Sequence, residues 1–192
     1  MTPKWPVVLA SGSPRRKDLL SKLFAHFVIV VPNVNEDDDE QDPERHALKI
    51  ATRKAEAVAK THPERLIIAA DTIVVLNRKI LGKPNDENHA IEMLQSLCGE
   101  THTVITAVSI SSPIGKHAFA EKSQVTFKSA DHAEIESYVK TGEPMDKAGA
   151  YGIQGMGGTL VTKVEGDYDN VVGLPITRLT DELRKLKLTT EE

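Results

Sequence analysis

One cysteine, Cys98, is all the thiol chemistry this 192-residue sequence holds. A lone cysteine forbids an intrachain disulfide and points to a reducing compartment rather than a stapled extracellular scaffold. Aromatic residues make up 4% of the chain, too few for the stacking platforms that bind single-stranded nucleic acid. Positive charge is not in excess: 24 Lys and Arg stand against 28 Asp and Glu, a net charge of −4. That balance excludes a general nucleic-acid-coating role. No apolar run approaches the roughly 18 residues of a membrane span. The run Val7-Val8-Leu9-Ala10 is too short for a signal-peptide core. The seven histidines show no metal-ligand spacing, and no Cys-x-x-Cys pair or Gly-x4-Gly-Lys-Ser/Thr loop occurs. The expectation is a cytoplasmic protein that uses neither nucleic acid nor membrane as partner. At about 150 residues per domain, residues 1–192 are expected to form one domain, with no internal repeat.

What is present alternates between two periods. Short apolar runs at 7–10, 27–31 and 66–76 read as strands. Ser13-Pro14 and Asp42-Pro43-Glu44 read as helix caps, opening helices to about Phe24 and Lys60. Asn77-Arg78 reads as a turn into Ile80-Leu81, and Asp86 starts a helix that ends at Gly99. Runs at 103–110 and 118–128 read as a hairpin. A helix from Asp131 to about Thr141, a glycine-rich stretch at 149–158, a strand at 159–164 and a helix from Thr177 to Leu188 follow. Asp167-Tyr168-Asp169-Asn170 reads as a turn, and Glu36-Asp37-Asp38-Asp39-Glu40 as a solvated loop. Strands and helices in this order predict an α/β fold with a mixed, partly antiparallel sheet.

Five constellations carry potential chemistry. Ser11-Gly12-Ser13-Pro14-Arg15-Arg16-Lys17 runs from a strand through small residues into a helix N-terminus. Free N–H groups and the helix dipole make such a place an anion site. Three cations in a first turn oppose that dipole, so helix propensity does not explain them, whereas a bound polyanion does. A plain basic surface turn is the ordinary alternative. Asp71 interrupts an apolar strand, where an unpaired carboxylate costs several kcal/mol. It must meet a cation, a metal or hydrogen-bond donors, as a structural ion pair, a general base or a metal ligand. Thr72 points to the opposite strand face.

Lys54 lies inside the apolar arc of its helix, beside Ile50 and Ala47. There it must snorkel outward or pair with an anion, Asp71 or a ligand phosphate. On the wheel alone, Lys54→Met is expected to be at least as stable as wild type, and inactive. Gly82-Lys83-Pro84 follows the Asp71 strand hairpin, as a surface turn or a site for Lys83. Glu143 through Gly155 is a glycine-rich block in which backbone could approach a ligand and Gln154 could read a base edge, although a tight helix-to-strand loop accounts for the same glycines.

Ser-Gly-Ser-Pro-Arg-Arg at 11–16, Ala70-Asp71-Thr72, Gly82-Lys83-Pro84, the block from Glu143 to Gly155 and Val172-Gly173-Leu174-Pro175 resemble the Maf family of nucleotide pyrophosphatases. The resemblance covers nearly the whole chain in the same order. Met145 through Gly155 is similar to the branch that hydrolyses dTTP and UTP; the 7-methyl-GTP branch has a Trp-Asp-Cys-Ala-Gly-type block there. The resemblance implies Mg²⁺- or Mn²⁺-dependent cleavage of a nucleoside triphosphate to monophosphate and pyrophosphate. It assigns catalysis to Asp71, metal contact to Glu36 and Asp71, and substrate contact to Ser13, Arg15, Arg16, Lys54, Lys83 and Gln154. Arg15, Thr72 and Gln154 match positions tied to substrate choice. It also implies an elongated mixed sheet flanked by helices with a central cleft, like inosine-triphosphate pyrophosphatases, often as a homodimer. This chain has Met156 where many members of the branch carry arginine, a departure that bears on one phosphate contact and not on the reaction class. Two rival expectations are a hydrolase of non-standard purine triphosphates and a non-enzymatic nucleotide sensor in cell division. A buried Asp71 favours an enzyme, because a sensor needs no desolvated base.

Overall fold

The computed structural model describes residues 1–190. Its elements, in chain order, begin with β1 (Thr2–Pro3), β2 (Val7–Ala10), α1 (Pro14–Ser21), β3 (Val28–Ile29) and α2 (Pro43–Ala59). β4 (Leu66–Leu76), β5 (Lys79–Leu81), α3 (Glu87–Leu97), β6 (Thr101–Ser112) and β7 (Gly115–Phe127) form the middle. α4 (His132–Val139), three 3-10 turns, β8 (Val161–Glu165), α5 (Tyr168–Val172), α6 (Ile176–Lys185) and β9 (Thr189–Thr190) complete it. Seven strands make one mixed sheet in the order β3-β2-β4-β6-β7-β8, with β5 paired to β4. β2 runs parallel to β3 and β4, whereas β5 and β8 are antiparallel to their neighbours. β1 and β9 form a separate antiparallel pair. No helix among the described residues is long and apolar enough to cross a membrane.

The chain divides into two compact units. The first holds residues 1–71, 106–121 and 173 onward. Its helix α2 lays Ala55 and Val58 on Val8, Ala10, Ile67 and Ala69 of the parallel strands, all of them buried. The second unit holds 72–105 and 122–172, with α3, α4 and the 3-10 turns around Leu94, Leu97, Val125, Phe127, Ile135 and Tyr138.

The helix caps follow the sequence reading. Ser13, Asp42, Asp86 and Asp131 each accept a hydrogen bond from the backbone N–H three residues on. Differences arise where pairing, not hydropathy, decides. α1 stops at Ser21, because Lys22 N–H turns to Leu19 O and Leu23 N–H to Leu20 O, tightening the last turn before Phe24. The apolar run 27–31 contributes only a two-residue strand at the sheet edge, leaving Val28, Ile29 and Val31 exposed. The strand expected at 159–164 starts at Val161, since Thr159 and Leu160 belong to a 3-10 turn.

Asp167 to Asn170 is more than a turn. It starts α5, and Asn170 is fully buried, donating to Val104 O at 3.2 Å and Ser123 Oγ at 3.0 Å. Asn77 and Arg78 both have positive φ, 49° and 66°, with Leu76 opposite Lys79. That is the mirror-image turn whose twist suits a two-residue hairpin.

Candidate functional site

In the first unit, β2 delivers the chain into Ser11-Gly12-Ser13, and Pro14 fixes the first residue of α1. Ser11 Oγ accepts from Ser13 N–H at 3.2 Å and from Arg16 Nη1 at 3.3 Å. Arg16 Nε donates to Gly173 O at 2.8 Å, just before α6. Arg16 is thus fixed by both ends of its unit. Burial lowers its pKa and the neighbouring Arg15 charge lowers it further, while Asp71 and Glu36 act in the opposite direction. Arg15 is half-buried, and no ion pair holds it among the described residues. Of the three cations of this first turn, Arg16 is held from within the structure, Arg15 is half-buried and Lys17 is exposed.

Asp71 ends the buried stretch of β4 in this unit. Lys54 reaches it from α2: Nζ donates to Asp71 Oδ1 at 2.8 Å. The same Nζ lies 3.1 Å from Glu36 Oε1. Lys54 and Asp71 side chains are each 11% exposed, and Glu36 is 57% exposed. Of the two anions expected for Lys54, the structure supplies Asp71 and adds Glu36. Two carboxylates therefore converge on one cation. No group of three or more His, Cys, Asp or Glu side chains is placed to hold a metal among the described residues. Two hard oxygen donors nevertheless suit Mg²⁺, which binds through one or two carboxylates and takes its other ligands from water and phosphate. The point where Glu36 and Asp71 meet is held by an ammonium, so the donor set fits a cation.

The acidic run around Glu36 is not the uniform solvated loop expected. Asp38 accepts from Lys49 Nζ at 3.1 Å and from Arg53 Nη2, and its side chain is only 5% exposed. The Lys49 hydrogen bond, supported by Glu40 N–H and the charges of Lys49 and Arg53, holds its carboxyl below the ordinary range. Arg53 also donates to the Asn35 and Asp37 carbonyls, at 3.4 and 2.9 Å. This arrangement fixes the loop that carries Glu36. The sequence signal existed only as Lys49 and Arg53 sharing the polar side of α2.

In the second unit, Thr72 is half-buried on β4. Lys83 is exposed and has no ion-pair partner among the described residues. Its turn is tied to the glycine block, because Gly149 N–H donates to Gly82 O at 3.1 Å. Gly149 has φ 68°, and a Cβ there would lie 2.8 Å from Val74 Cγ2. Only glycine meets both demands. The structure thus joins the motifs of Lys83 and Gln154 within one unit.

Gln154 is exposed and its carboxamide has no partner among the described residues. The loop around it is held by a residue the sequence reading left without a role, Glu143. Its Oε1 accepts from Tyr138 Oη at 2.8 Å and Gly157 N–H at 3.0 Å, and its Oε2 from Met156 N–H at 2.9 Å. Burial alone would raise the Glu143 pKa. The bonds from Gly157, Tyr138 and Met156, with the Lys147 charge, outweigh it and leave the carboxyl below its ordinary value. Met156 contributes this backbone N–H while its side chain is 56% exposed. Away from all these residues, a cavity of about 920 Å³ in the first unit is lined by Trp5, Phe24, His26 and Arg65 among others, and contains none of the motif residues.

A "dTTP/UTP pyrophosphatase" of Deinococcus radiodurans is 46% identical over 178 residues, 93% of this chain and 91% of the relative. One from a Geobacillus species is 48% identical over 181 residues, 94% and 97% of the two chains. The solved structure of the Staphylococcus aureus Ham1 protein is similar with a TM-score of 0.56 at 16% identity, covering 95% of this chain and 97% of that one. At that identity the likeness concerns the α/β fold alone. The Maf family, described as Maf-like protein, matches residues 6–186. The chain belongs to the Maf-like family.

Proposed function

We propose that this protein hydrolyses dTTP and UTP to the monophosphate and pyrophosphate. The observation that carries the reading is the withdrawn Asp71 carboxylate, held at 2.8 Å by Lys54 with Glu36 on the same ammonium. A buried carboxylate with a movable cation is what a general base needs, and a purely structural pair would not need the exposed Glu36 beside it. The names of the two relatives support the substrate assignment.

Arg15, Arg16, Lys54 and Lys83 neutralise the triphosphate, with Ser13 and the backbone of 11–13 offering donors to its oxygens. As the phosphates arrive, Lys54 exchanges its carboxylate partner for a phosphate oxygen. Asp71 is then free to take a proton from water. That water forms the new bond to the α-phosphorus, the α–β bridging bond breaks, and pyrophosphate leaves with the electron pair. Glu36 and Asp71 would hold a divalent cation, Mg²⁺ or Mn²⁺, which supplies further neutralisation of phosphate charge. Most of the rate comes from positioning and charge neutralisation. Gln154 reads the pyrimidine edge, and Arg15 and Thr72 contribute to substrate choice. Nucleoside triphosphate substrates favour a cytoplasmic location.

The test is a nucleotide panel with purified protein and Mg²⁺ or Mn²⁺ in ¹⁸O-labelled water. Pyrophosphate from dTTP and UTP, with label in the monophosphate, is expected. Orthophosphate as product, or label in the pyrophosphate, overturns the bond assignment. Purine triphosphates turned over in preference would overturn the substrate.

A further inference from the structure

We propose that Glu143 is a positioning residue for base discrimination, acting through the loop that carries Gln154. The inference rests on the reading of Gln154 given above and deepens it.

Half of the loop from Gly152 to Gly157 is glycine, and of its three side chains only Ile153 packs against the core, Gln154 and Met156 being exposed. Gly152 N–H donates to Tyr138 Oη at 3.3 Å, and Tyr138 O–H in turn donates to Glu143 Oε1 at 2.8 Å. On the far side of Gln154, the N–H groups of Met156 and Gly157 donate to the two oxygens of the same carboxylate. Both flanks of Gln154 are therefore suspended from one side chain, directly or through one phenol. The glycines are where this grip touches the backbone. A Cβ on Gly155 would lie 2.6 Å from Glu143 Cδ, and one on Gly157 would lie 2.5 Å from Tyr138 Oη. A side chain at either place would push the Glu143 carboxylate or the Tyr138 hydroxyl off its hydrogen bonds.

Glu143 is itself held from behind. Lys147 Nζ donates to Glu143 O at 2.8 Å and to Asp146 Oδ1 at 2.8 Å. Pro144 follows Glu143 and is buried, stiffening the turn. The carboxylate is a fixed double acceptor aimed at two adjacent N–H groups. The exposed Gln154 carboxamide projects from the strand of backbone between them, free to meet a base at a defined position.

A carboxamide at 143 has the same shape but only one acceptor oxygen. Its NH₂ would face either the Met156 N–H or the Gly157 N–H, donor against donor. Glu143→Gln therefore loosens the loop without opening a cavity. Tyr138→Phe is the companion variant, removing one hydroxyl, which releases Gly152 N–H and takes one donor from Glu143 Oε1 while leaving the Met156 and Gly157 bonds in place.

The experiment compares kcat/KM for dTTP and UTP with that for CTP in wild type, Glu143→Gln, Tyr138→Phe, Gln154→Ala and Glu143→Gln/Gln154→Ala, with hydrogen exchange of the 152–157 amides. Glu143→Gln is expected to lose protection at Met156 and Gly157. It should lower the discrimination ratio about tenfold, mainly through KM, in line with the cost of small misplacements. The double variant should discriminate no worse than Gln154→Ala alone. A Glu143→Gln protein that melts earlier yet keeps the wild-type ratio overturns the proposal and leaves Glu143 a stabilising residue only. If Gln154→Ala itself keeps the wild-type ratio, the reading of Gln154 fails, while the Glu143→Gln ratio still decides whether the loop sets discrimination through its backbone.

Discussion

The Lys54 ammonium stands 2.8 Å from Asp71 Oδ1, with both side chains 11% exposed. This pairing reverses the stability expected from the helical wheel alone. Methionine at 54 would fill the stem's volume but leave Asp71 buried without its cation. Breaking a buried pair at one end costs about 3–5 kcal/mol. Lys54→Met is expected to be destabilised by that order in urea denaturation. Lys54→Met/Asp71→Asn should recover most of the loss. Full stability in the single variant would show that Arg16 compensates Asp71 alone.

Asp71→Asn should fold and fail to turn over dTTP. Asparagine is nearly the same shape and still accepts from Lys54, but it takes no proton. General bases contribute about 10²–10⁴-fold, so steady-state rates should fall at least a hundredfold with the thermal transition retained. A variant keeping a tenth of wild-type activity would place the base elsewhere.

Gln154→Ala should spare the chemistry and damage the choice. Uracil and thymine offer two carbonyl acceptors and one imino donor, which a carboxamide can match. Their kcat/KM should fall by about 1–3 kcal/mol, with a smaller change for CTP and purine triphosphates. An equal loss across all nucleotides would mean that Gln154 meets phosphate or water.

Acid should destabilise the protein through His102 in the second unit. This imidazole is 1% exposed, hydrogen-bonded through Nε2 to Tyr151 Oη at 2.7 Å and set edge-on to Phe127 and Tyr151. Burial lowers its pKa from 6.5 to about 4. The unfolded chain therefore binds the proton between those values and the folded chain does not. The stabilising contribution is complete above pH 6.5 and is lost as pH falls toward 4, by about 3 kcal/mol at ~1.4 kcal/mol per unit. Denaturant midpoints measured across that window should drop in wild type, and less in His102→Gln, which does not titrate. Parallel slopes in the two proteins would remove His102 as the cause.

The parts of the molecule that were readable in advance are those in which side-chain type dictates the outcome. Lys54 showed as a charge on an apolar arc, Asp71 as a charge in an apolar strand, and Ser13 as a cap before proline. All three lie where those patterns place them. Glu143 was hidden because its partners are the main-chain N–H groups of Met156 and Gly157, which any residue would offer. Asp38 was hidden within a run of like charges that gives no hint of which member is enclosed. Asn170 sat in a stretch with the composition of a turn, and only tertiary contacts with Val104 and Ser123 reveal its burial.

The bond from Arg16 to Gly173 O joins positions 157 residues apart. On the ribosome, the amino-terminal loop emerges early and its anchor emerges near the end of synthesis. Non-local contacts of this kind form only after most of the chain is available. A nascent chain arrested before residue 173 would carry every cation of the first motif and still lack the carbonyl that orients Arg16. The orientation of Arg16 in this unit is therefore set late in biogenesis, when the polypeptide is nearly complete.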